Sequence, residues 1–357
     1  MDIIALVYGG DSVESDISVV TFKKIKDKLL KEGIETIDIY LSRDGYFYLN
    51  DKEKMKIGQF EKCDGTTYFK TRFKRYEFDV VLPLVHGQGV EDGRLGAYFD
   101  ILKIPCMYSG IINSALLQNK SYLKKIMNYY NIPNTKYVDL KYEDFIDVKF
   151  DLKEHIKELK YPLIIKPNNL GSSIGVSKVF DYNNLLSSLD KAFSFDNEVL
   201  IEECVNNLKE VNIAVLGYKD NIVFSELETV SNKDEVLTFF DKYLLSKDKT
   251  TRIIPSDISL DIKKAIIEIT RNAFISLSCF GVVRFDYLID ESNHLIYLNE
   301  INTIPGSLAY YLFEPLNISV GKICSIMYEN YIKKIRFEKR VKTNYEEGNR
   351  KDLLSKE

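Results

Sequence analysis

Apolar residues along this chain recur in two periods. Ile3 to Val7, Phe78 to Val85 and Leu163 to Ile165 are short continuous apolar runs, which predict buried strands. Between them the spacing changes to three and four. Ile17, Val20, Ile25 and Leu29 share one helical face from about Asp16, and Gly33 ends that helix. Thr36 to Leu41 is a second strand, and the polar, tyrosine-rich segment from Ser42 to Arg75 reads as an excursion carrying one or two hairpins. A helix to about Leu102 follows the loop His86 to Gly93. The pattern changes near Asn113, where Leu123, Ile126, Met127 and Tyr130 form an amphipathic helix that stops before Pro133.

Farther on, Tyr182, Leu185, Leu186 and Leu189 share a helix face, and Glu198 to Glu203 is a strand. The chain then becomes strand-rich, at Val211 to Leu216, Ile222 to Leu227, Gly281 to Ile289 and Leu295 to Ile301. Helices are predicted from Asp261 to Leu277 and around Ile323, Ile326, Met327 and Tyr331. Alternating strands and helices predict an α/β first domain with a parallel sheet, and the C-terminal part is α+β in character. The expected divisions are 1–113, 114–205 and 206–336, with a charged, aperiodic tail over 337–357 that reads as disordered.

Two stretches carry candidate chemistry. Lys166 ends an apolar strand and is followed by a polar loop with Gly171, Ser172, Ser173 and Gly175, and a return strand begins near Val176. Glycine lets backbone N–H groups approach an anion, and a lysine beside such a flap suits a polyphosphate. The same residues also fit a plain hairpin whose glycines serve only the turn. No G-x-x-x-x-G-K-[ST] motif occurs. The second stretch is Arg284-Phe-Asp286 with Glu300-Ile-Asn302. Members of each pair, two apart on a strand, point to one face, and the turn Asp290 to Asn293 joins the strands as a hairpin. Two carboxylates and an amide carbonyl on one face suit Mg²⁺, although a solvated face with an Arg–Glu pair would share the pattern. Asn302-Thr-Ile-Pro-Gly306 offers backbone N–H groups directly after the carboxylates.

Composition narrows the field. The chain has 357 residues, 45% hydrophobic and 29% charged, with a formal net charge of −4. That length implies more than one domain, and that charge excludes a general nucleic-acid binder. No apolar stretch is long enough to span a membrane, and the N-terminus reads as a strand with no signal peptide, so a cytoplasmic protein without membrane partners is expected. The five scattered cysteines, Cys63, Cys106, Cys204, Cys279 and Cys324, read as reduced core thiols. His86, His155 and His294 share no zinc-ligand spacing.

Five motifs stand in one order: Gly9-Gly10-x-Ser12-x-Glu14, His86-Gly-x-Gly-x-Glu-Asp-Gly93, Lys166-Pro-x-x-x-Gly171-Ser-Ser, Arg284-x-Asp286 and Glu300-x-Asn302-x-x-Pro-Gly306. Together they resemble the D-alanine–D-alanine ligases of the ATP-grasp superfamily, over about Ile3 to Ile335. The resemblance implies a three-domain ATP-grasp fold and ATP-driven amide formation through an acyl phosphate, for peptidoglycan precursors. It implies Lys120 and Lys166 on the α- and β-phosphates, Lys242 near the transferred phosphoryl group, and Ser173 in the flap over them. Glu202 would receive the adenine amino group, the Glu203 and Val205 backbone would complete the base site, and Glu210 would hold the ribose. Asp286, Glu300 and Asn302 would ligate two Mg²⁺ ions, with Mn²⁺ able to substitute. Glu14 would pair with the first D-alanine's ammonium in a chain with Ser172 and Tyr243, with His86 nearby. Arg284 and the Gly306 N–H would stabilise the oxyanion.

Two positions depart from the family pattern. Tyr311 stands where a serine usually binds the second substrate's carboxylate, beside Leu312. Gly96 replaces a residue that is often glutamine. Lys242-Tyr243, where other members have a histidine-containing loop, favours an amine acceptor over D-lactate. Tyr311 leaves open another acceptor, such as D-serine, and a non-catalytic ATP-binding paralogue is the reading from a different class. A homodimer is usual in the family.

Overall fold

The computed structural model describes residues 1–52, 54–232 and 250–338. It contains three sheets. The first is built by β1 (Ile3–Gly9), α1 (Ser15–Lys31), β2 (Glu35–Leu41), β3 (Phe47–Asp51), β4 (Lys54–Cys63), β5 (Thr66–Thr71), β6 (Arg75–Phe78), β7 (Val80–Pro83) and α2 (Arg94–Ile101). Its strand order is β6-β5-β4-β3-β2-β1-β7. Only β2, β1 and β7 run parallel; the excursion adds antiparallel strands to their edge.

The apolar run predicted as one strand, Phe78 to Val85, is divided at Asp79. Residues before it pair with β5 at one edge, and residues after it pair with β1 at the other. Asp79 N–H donates to the Ile3 carbonyl, while its carboxylate accepts from the Asp2 and Ile3 amides. The sheet therefore curls until its two edges meet, and Phe60, Phe69, Phe78 and Phe99 fill the space it encloses.

Helices α3 (Ile111–Gln118) and α4 (Lys120–Tyr129) lead to the second sheet, so the change of pattern at Asn113 falls inside a helix. That sheet comprises β8 (Tyr137–Lys141), β9 (Leu163–Pro167), β10 (Ser177–Val179) and β11 (Glu198–Glu203), in the order β10-β9-β11-β8. The short helices α5 (Tyr142–Ile146) and α6 (Leu152–His155) and the longer α7 (Tyr182–Phe193) accompany it. The predicted flap hairpin forms, with Ser177 opposite Ile165.

The third sheet is antiparallel. Strands β12 (Leu208–Tyr218), β13 (Asn221–Asn232), β14 (Thr250–Ile253), β15 (Phe280–Asp290) and β16 (Leu295–Asn302) lie in the order β14-β13-β12-β15-β16. Helix α8 (Leu260–Ser276) packs Ile266, Ala273 and Phe274 against Val211, Ile213, Phe285 and Tyr287. Elsewhere in the sheet Ala214, Leu216 and Val282 join a core shared with β1 and α1 of the first unit. Helix α9 (Tyr310–Phe313) and helix α10 (Val320–Glu338) belong to the same core. Because α10 reaches Glu338, the first two residues of the expected tail are helical, and the rest lie outside the described residues.

Gly96 on α2 sits where the Tyr108 ring packs; a Cβ built there would lie 2.1 Å from that ring. All five cysteines are thiols, but only Cys106, Cys279 and Cys324 are core thiols. Cys63, at the end of a strand in the excursion, is exposed, and Cys204, just past β11, is half-buried, which corrects the sequence expectation for both. Among the described residues no helix is long and apolar enough to cross a membrane.

Candidate active site

The three units bring their loops to one place. Glu14 directly precedes α1, after the turn that follows β1, and is buried at 6% exposure. Its Oε1 accepts a 2.5 Å hydrogen bond from Ser172 Oγ, so the flap of the second sheet rests on the first unit. Ser172 and Ser173 both hold left-handed backbone, at φ 53° and 59°, a conformation that costs roughly 1 kcal/mol or more for a non-glycine residue. The contact to Glu14 offsets part of that strain. Gly87 lies under the same group. A Cβ there would come within 2.7 Å of Ser12 Oγ and 3.0 Å of Glu14 Oε2, and its φ of +88° suits glycine.

Burial raises the pKa of Glu14, while the Ser172 hydroxyl and the charge of Lys120 oppose the shift. Glu91 sits in the same pocket, its Oε2 accepting from Gly87 N–H at 2.9 Å. Burial, then the charge of Glu14, pushes Glu91 up to about 8, while at Glu14 the Ser172 hydroxyl and the Lys120 charge favour the anion. Sequence reasoning gave Glu91 no role, because its motif alone does not show which carboxylate is enclosed.

His86 is 5% exposed; its Nε2 lies 3.1 Å from Thr21 Oγ1, which in turn accepts from Ser307 N–H. This links the loop after β7 to the turn that follows Gly306. Burial, aided by the Arg284 charge, pushes the imidazole down to about 4. A histidine held neutral contributes stability above its ordinary value of 6.5, because below that value the unfolded chain takes up the proton first. Stability is therefore expected to fall as pH drops from 6.5 towards 4, by up to about 3 kcal/mol from this residue. Urea unfolding of wild type and His86→Gln across that range checks it: equal pH slopes for the two would exclude the effect.

On the third sheet Asp286 lies directly opposite Glu300, and Arg284 opposite Asn302. The predicted faces and near-turn register are therefore present. Arg284 donates from Nε and Nη2 to the two Asp286 oxygens at 2.6 and 2.7 Å, and Asn302 Nδ2 donates to Asp286 at 3.1 Å. Burial raises the Asp286 pKa against the pull of Arg284, and Glu300 raises it further. Two enclosed carboxylates that oppose each other's ionisation, with an amide beside them, form a hard-oxygen donor set that fits a divalent cation. Among the described residues no group of three or more His, Cys, Asp or Glu side chains could hold a metal, so the fit rests on this mixed set.

The lysines cluster behind that hairpin. Lys166 is paired with Glu202, and its Nζ donates to Asn299 Oδ1 at 3.0 Å. Asn299 would face away from Glu300 in a regular strand. The register slips between the Asp286–Glu300 and Tyr287–Leu298 pairs, so Asn299 is the bulged residue. Lys120 is half-buried, and its Nζ donates to the Leu170 carbonyl at the flap's base.

Glu202 is not open to a base as its expected adenine contact requires. It is 1% exposed and accepts from Lys124 at 2.8 Å, from Thr135 at 2.6 Å and from Lys166. Burial alone would raise its pKa, but the two lysines overcome that and hold it well below the carboxylate range. Its position is that of a counterion between two buried cations. Glu203 accepts from Lys160 N–H at 3.0 Å, and Val205 follows just past the strand end. Glu210 stands two residues from Asn212 on β12, on the face that carries Asp286.

After Gly306, Ser307, Leu308 and Ala309 all take left-handed backbone, at φ 53°, 54° and 47°. That turn delivers Tyr311 over β13, while Leu312 is fully buried in the core. The expected substrate contact of Leu312 can involve only its backbone. Lys242 and Tyr243 lie outside the described residues.

A family model described as "D-ala D-ala ligase N-terminus" matches residues 3–109, and one described as "D-ala D-ala ligase C-terminus" matches residues 126–333. A curated D-alanine--D-alanine ligase of Thermosipho africanus is 34% identical, over 91% of this chain and 91% of its own length. Among solved structures, the VanG D-Ala:D-Ser ligase of Enterococcus faecalis is similar at TM-score 0.79 and 26% identity, covering 92% of this chain and 99% of that one. The D-alanine-D-alanine ligase of Helicobacter pylori is similar at TM-score 0.70 and 26% identity, covering 91% and 98%.

Proposed function

Because the chain belongs to the D-alanine–D-alanine ligase family, we propose that it joins two D-alanines to D-alanyl-D-alanine at the expense of ATP, for peptidoglycan precursors. The observation that carries this reading is the meeting of Glu14 and Ser172 from two different units beside the Arg284–Asp286–Glu300 hairpin of the third. Such a site holds an ammonium at one end and a polyphosphate at the other.

A carboxylate is a poor acyl donor, because its leaving group would be oxide. Transfer of the γ-phosphoryl group to a carboxylate oxygen of the first D-alanine gives an acyl phosphate and ADP. The neutral amine of the second D-alanine attacks the carbonyl, loses a proton and expels phosphate. Glu14 binds the first ammonium, with Ser172 and Tyr243 completing its hydrogen-bonded chain and His86 near the substrate carboxylate. Lys120 and Lys166 hold the α- and β-phosphates, Lys242 approaches the transferred group, and Ser173 closes over them. Arg284 and the Gly306 N–H stabilise the oxyanion. The Glu203 and Val205 backbone receives adenine, and Glu210 the ribose. Asp286, Glu300 and Asn302 would hold Mg²⁺, as two ions with Mn²⁺ able to substitute, supplying charge neutralisation at the phosphoryl oxygens. The rest of the catalytic work is positioning and exclusion of water by the flap.

The division into units at 1–113, 114–205 and 206–336, a cytoplasmic location and a homodimer belong to the same reading. ADP release with Mg²⁺ATP and D-alanine alone, with products identified by mass, tests it. Turnover to the dipeptide is the expected result. Turnover only after a second amino acid such as D-serine is added would replace the product, and ATP binding without turnover would replace the activity.

A further inference from the structure

One row of polar side chains crosses the third sheet well beyond the Asp286–Glu300 pair. Asp286 is opposite Asn212 on β12, and Asn212 is opposite Glu228 on β13. Arg252 on β14 is opposite Val230, two residues from Glu228, and therefore on the same face. Glu228 is fully buried and hydrogen-bonded at both oxygens. Its Oε1 accepts from Asn212 Nδ2 and from Tyr311 Oη, both at 2.9 Å, and its Oε2 accepts from Arg252 Nη1 at 3.2 Å. The Arg252 guanidinium lies over the Tyr311 ring, 4.9 Å from its centre, with half its side chain exposed. Arg284 is within electrostatic reach of both Arg252 and Tyr311.

Two consequences follow for the second amino acid. The Tyr311 hydroxyl already donates to Glu228, so it is not the free donor that a serine there would supply. Arg284 has committed two of its donors to Asp286. An acceptor carboxylate at this end of the site still needs a cation, and Arg252 presents one. Its orientation is fixed from below by the ring and from the side by a buried carboxylate. Guanidinium keeps five donors in a planar fork, so one bond to Glu228 leaves others to meet a carboxylate.

Building on the ligase reading, we propose that Arg252 receives the carboxylate of the acceptor amino acid, with Glu228 and Tyr311 as the residues that position it. Arg252 thereby determines acceptor specificity: it selects an acceptor with a free carboxylate, and the Tyr311 ring bounds the space beside it.

The test is acceptor kinetics and product partition in wild type, Arg252→Ala, Arg252→Lys and Tyr311→Phe, with D-alanine competing against D-alaninamide and products separated by mass. Arg252→Ala is expected to raise the acceptor KM by about 30-fold or more and to shift the product ratio towards the amide at least about tenfold. The ATP KM should move less than about twofold, because the residues of the proposed phosphate site, Lys120, Lys166 and the flap, lie on other elements and none of them is among Arg252's partners. Arg252→Lys keeps the charge without the fork and should fall between, which preserves the test if the alanine variant folds poorly. Tyr311→Phe keeps the ring and loses only the Glu228 bond, so its acceptor KM should rise less than about threefold. Unchanged acceptor KM and product ratio in both Arg252 variants would overturn the proposal. So would a tenfold effect of Tyr311→Phe with Arg252→Lys silent, since the hydroxyl would then be the reader. Wild type that turns over while the Arg252 variants stay silent sinks this inference alone; wild type inactive on D-alanine sinks the ligase reading with it.

Discussion

Glu300→Gln is expected to lower turnover by at least about 10³-fold while ATP still binds within about tenfold of wild type. The substitution keeps size and removes one negative charge from a pair of carboxylates placed directly opposite each other. A cation at such a site stabilises the transferring phosphoryl group by several kcal/mol, and each ~1.4 kcal/mol lost from the barrier's stabilisation is a factor of ten. In the proposed reading ATP is held mainly by Lys120, Lys166 and the flap, which the change leaves in place. In the absence of metal, the variant should unfold at the same temperature as wild type or higher. Burial and Glu300 both raise the Asp286 pKa, and removing Glu300 relieves the like-charge component. Loss of activity together with undiminished thermal stability would assign the effect to chemistry. Near-normal ADP release would remove Glu300 from the mechanism.

The second large effect concerns stability. Glu202→Gln should destabilise the fold by about 3–5 kcal/mol, the usual result of removing one partner from a buried ion pair. Here one carboxylate serves two lysines, and Lys124 is itself only 1% exposed. Glutamine keeps the shape but leaves the buried Lys124 ammonium without its ion-pair partner and Lys166 with only the charges of Glu300 and Glu210. Adding Lys124→Met should restore part of the loss, because the unpaired ammonium goes too. The pH dependence has a definite sign. Glu202 has a depressed pKa in the fold, so its stabilisation is present above the ordinary carboxylate value of 4.5 and is lost as pH falls below it. Urea titrations of the single and double variants at pH 7 would settle the matter. A single-variant loss under about 1 kcal/mol would mean the lysines are solvated or neutral in the fold.

Part of the site's geometry was legible in the sequence. Strand alternation and the short polar turn put Asp286 within a residue or two of Glu300, but the turn's register alone would set it opposite Asn299, and the bulge makes the Asp286–Glu300 pair. The flap hairpin was legible because its apolar strands flank an obvious small-residue loop. Asn299 was not, since a bulge reverses the face of one residue and no local pattern announces it. Glu202 was assigned to a base because its motif position is known, whereas its partners Lys124 and Thr135 come from other elements. Arg252 and Glu228 carry no signal singly: an exposed arginine and a strand glutamate are the commonest of surface residues.

The sequence by itself determined most of the elements, the order of the motifs, the family and the face of the strand residues outside the bulge at Asn299. These depend on interactions within a few residues, where periodicity and turn chemistry act. Tertiary structure alone decided that the first sheet closes at Asp79, that Glu202 balances two lysines, and that Tyr311 spends its hydroxyl on Glu228. Each of these sets the charge or donors left for a substrate, and each depends on groups brought together from distant parts of the chain. Burial then fixes their ionisation, and burial is a property of the assembled core.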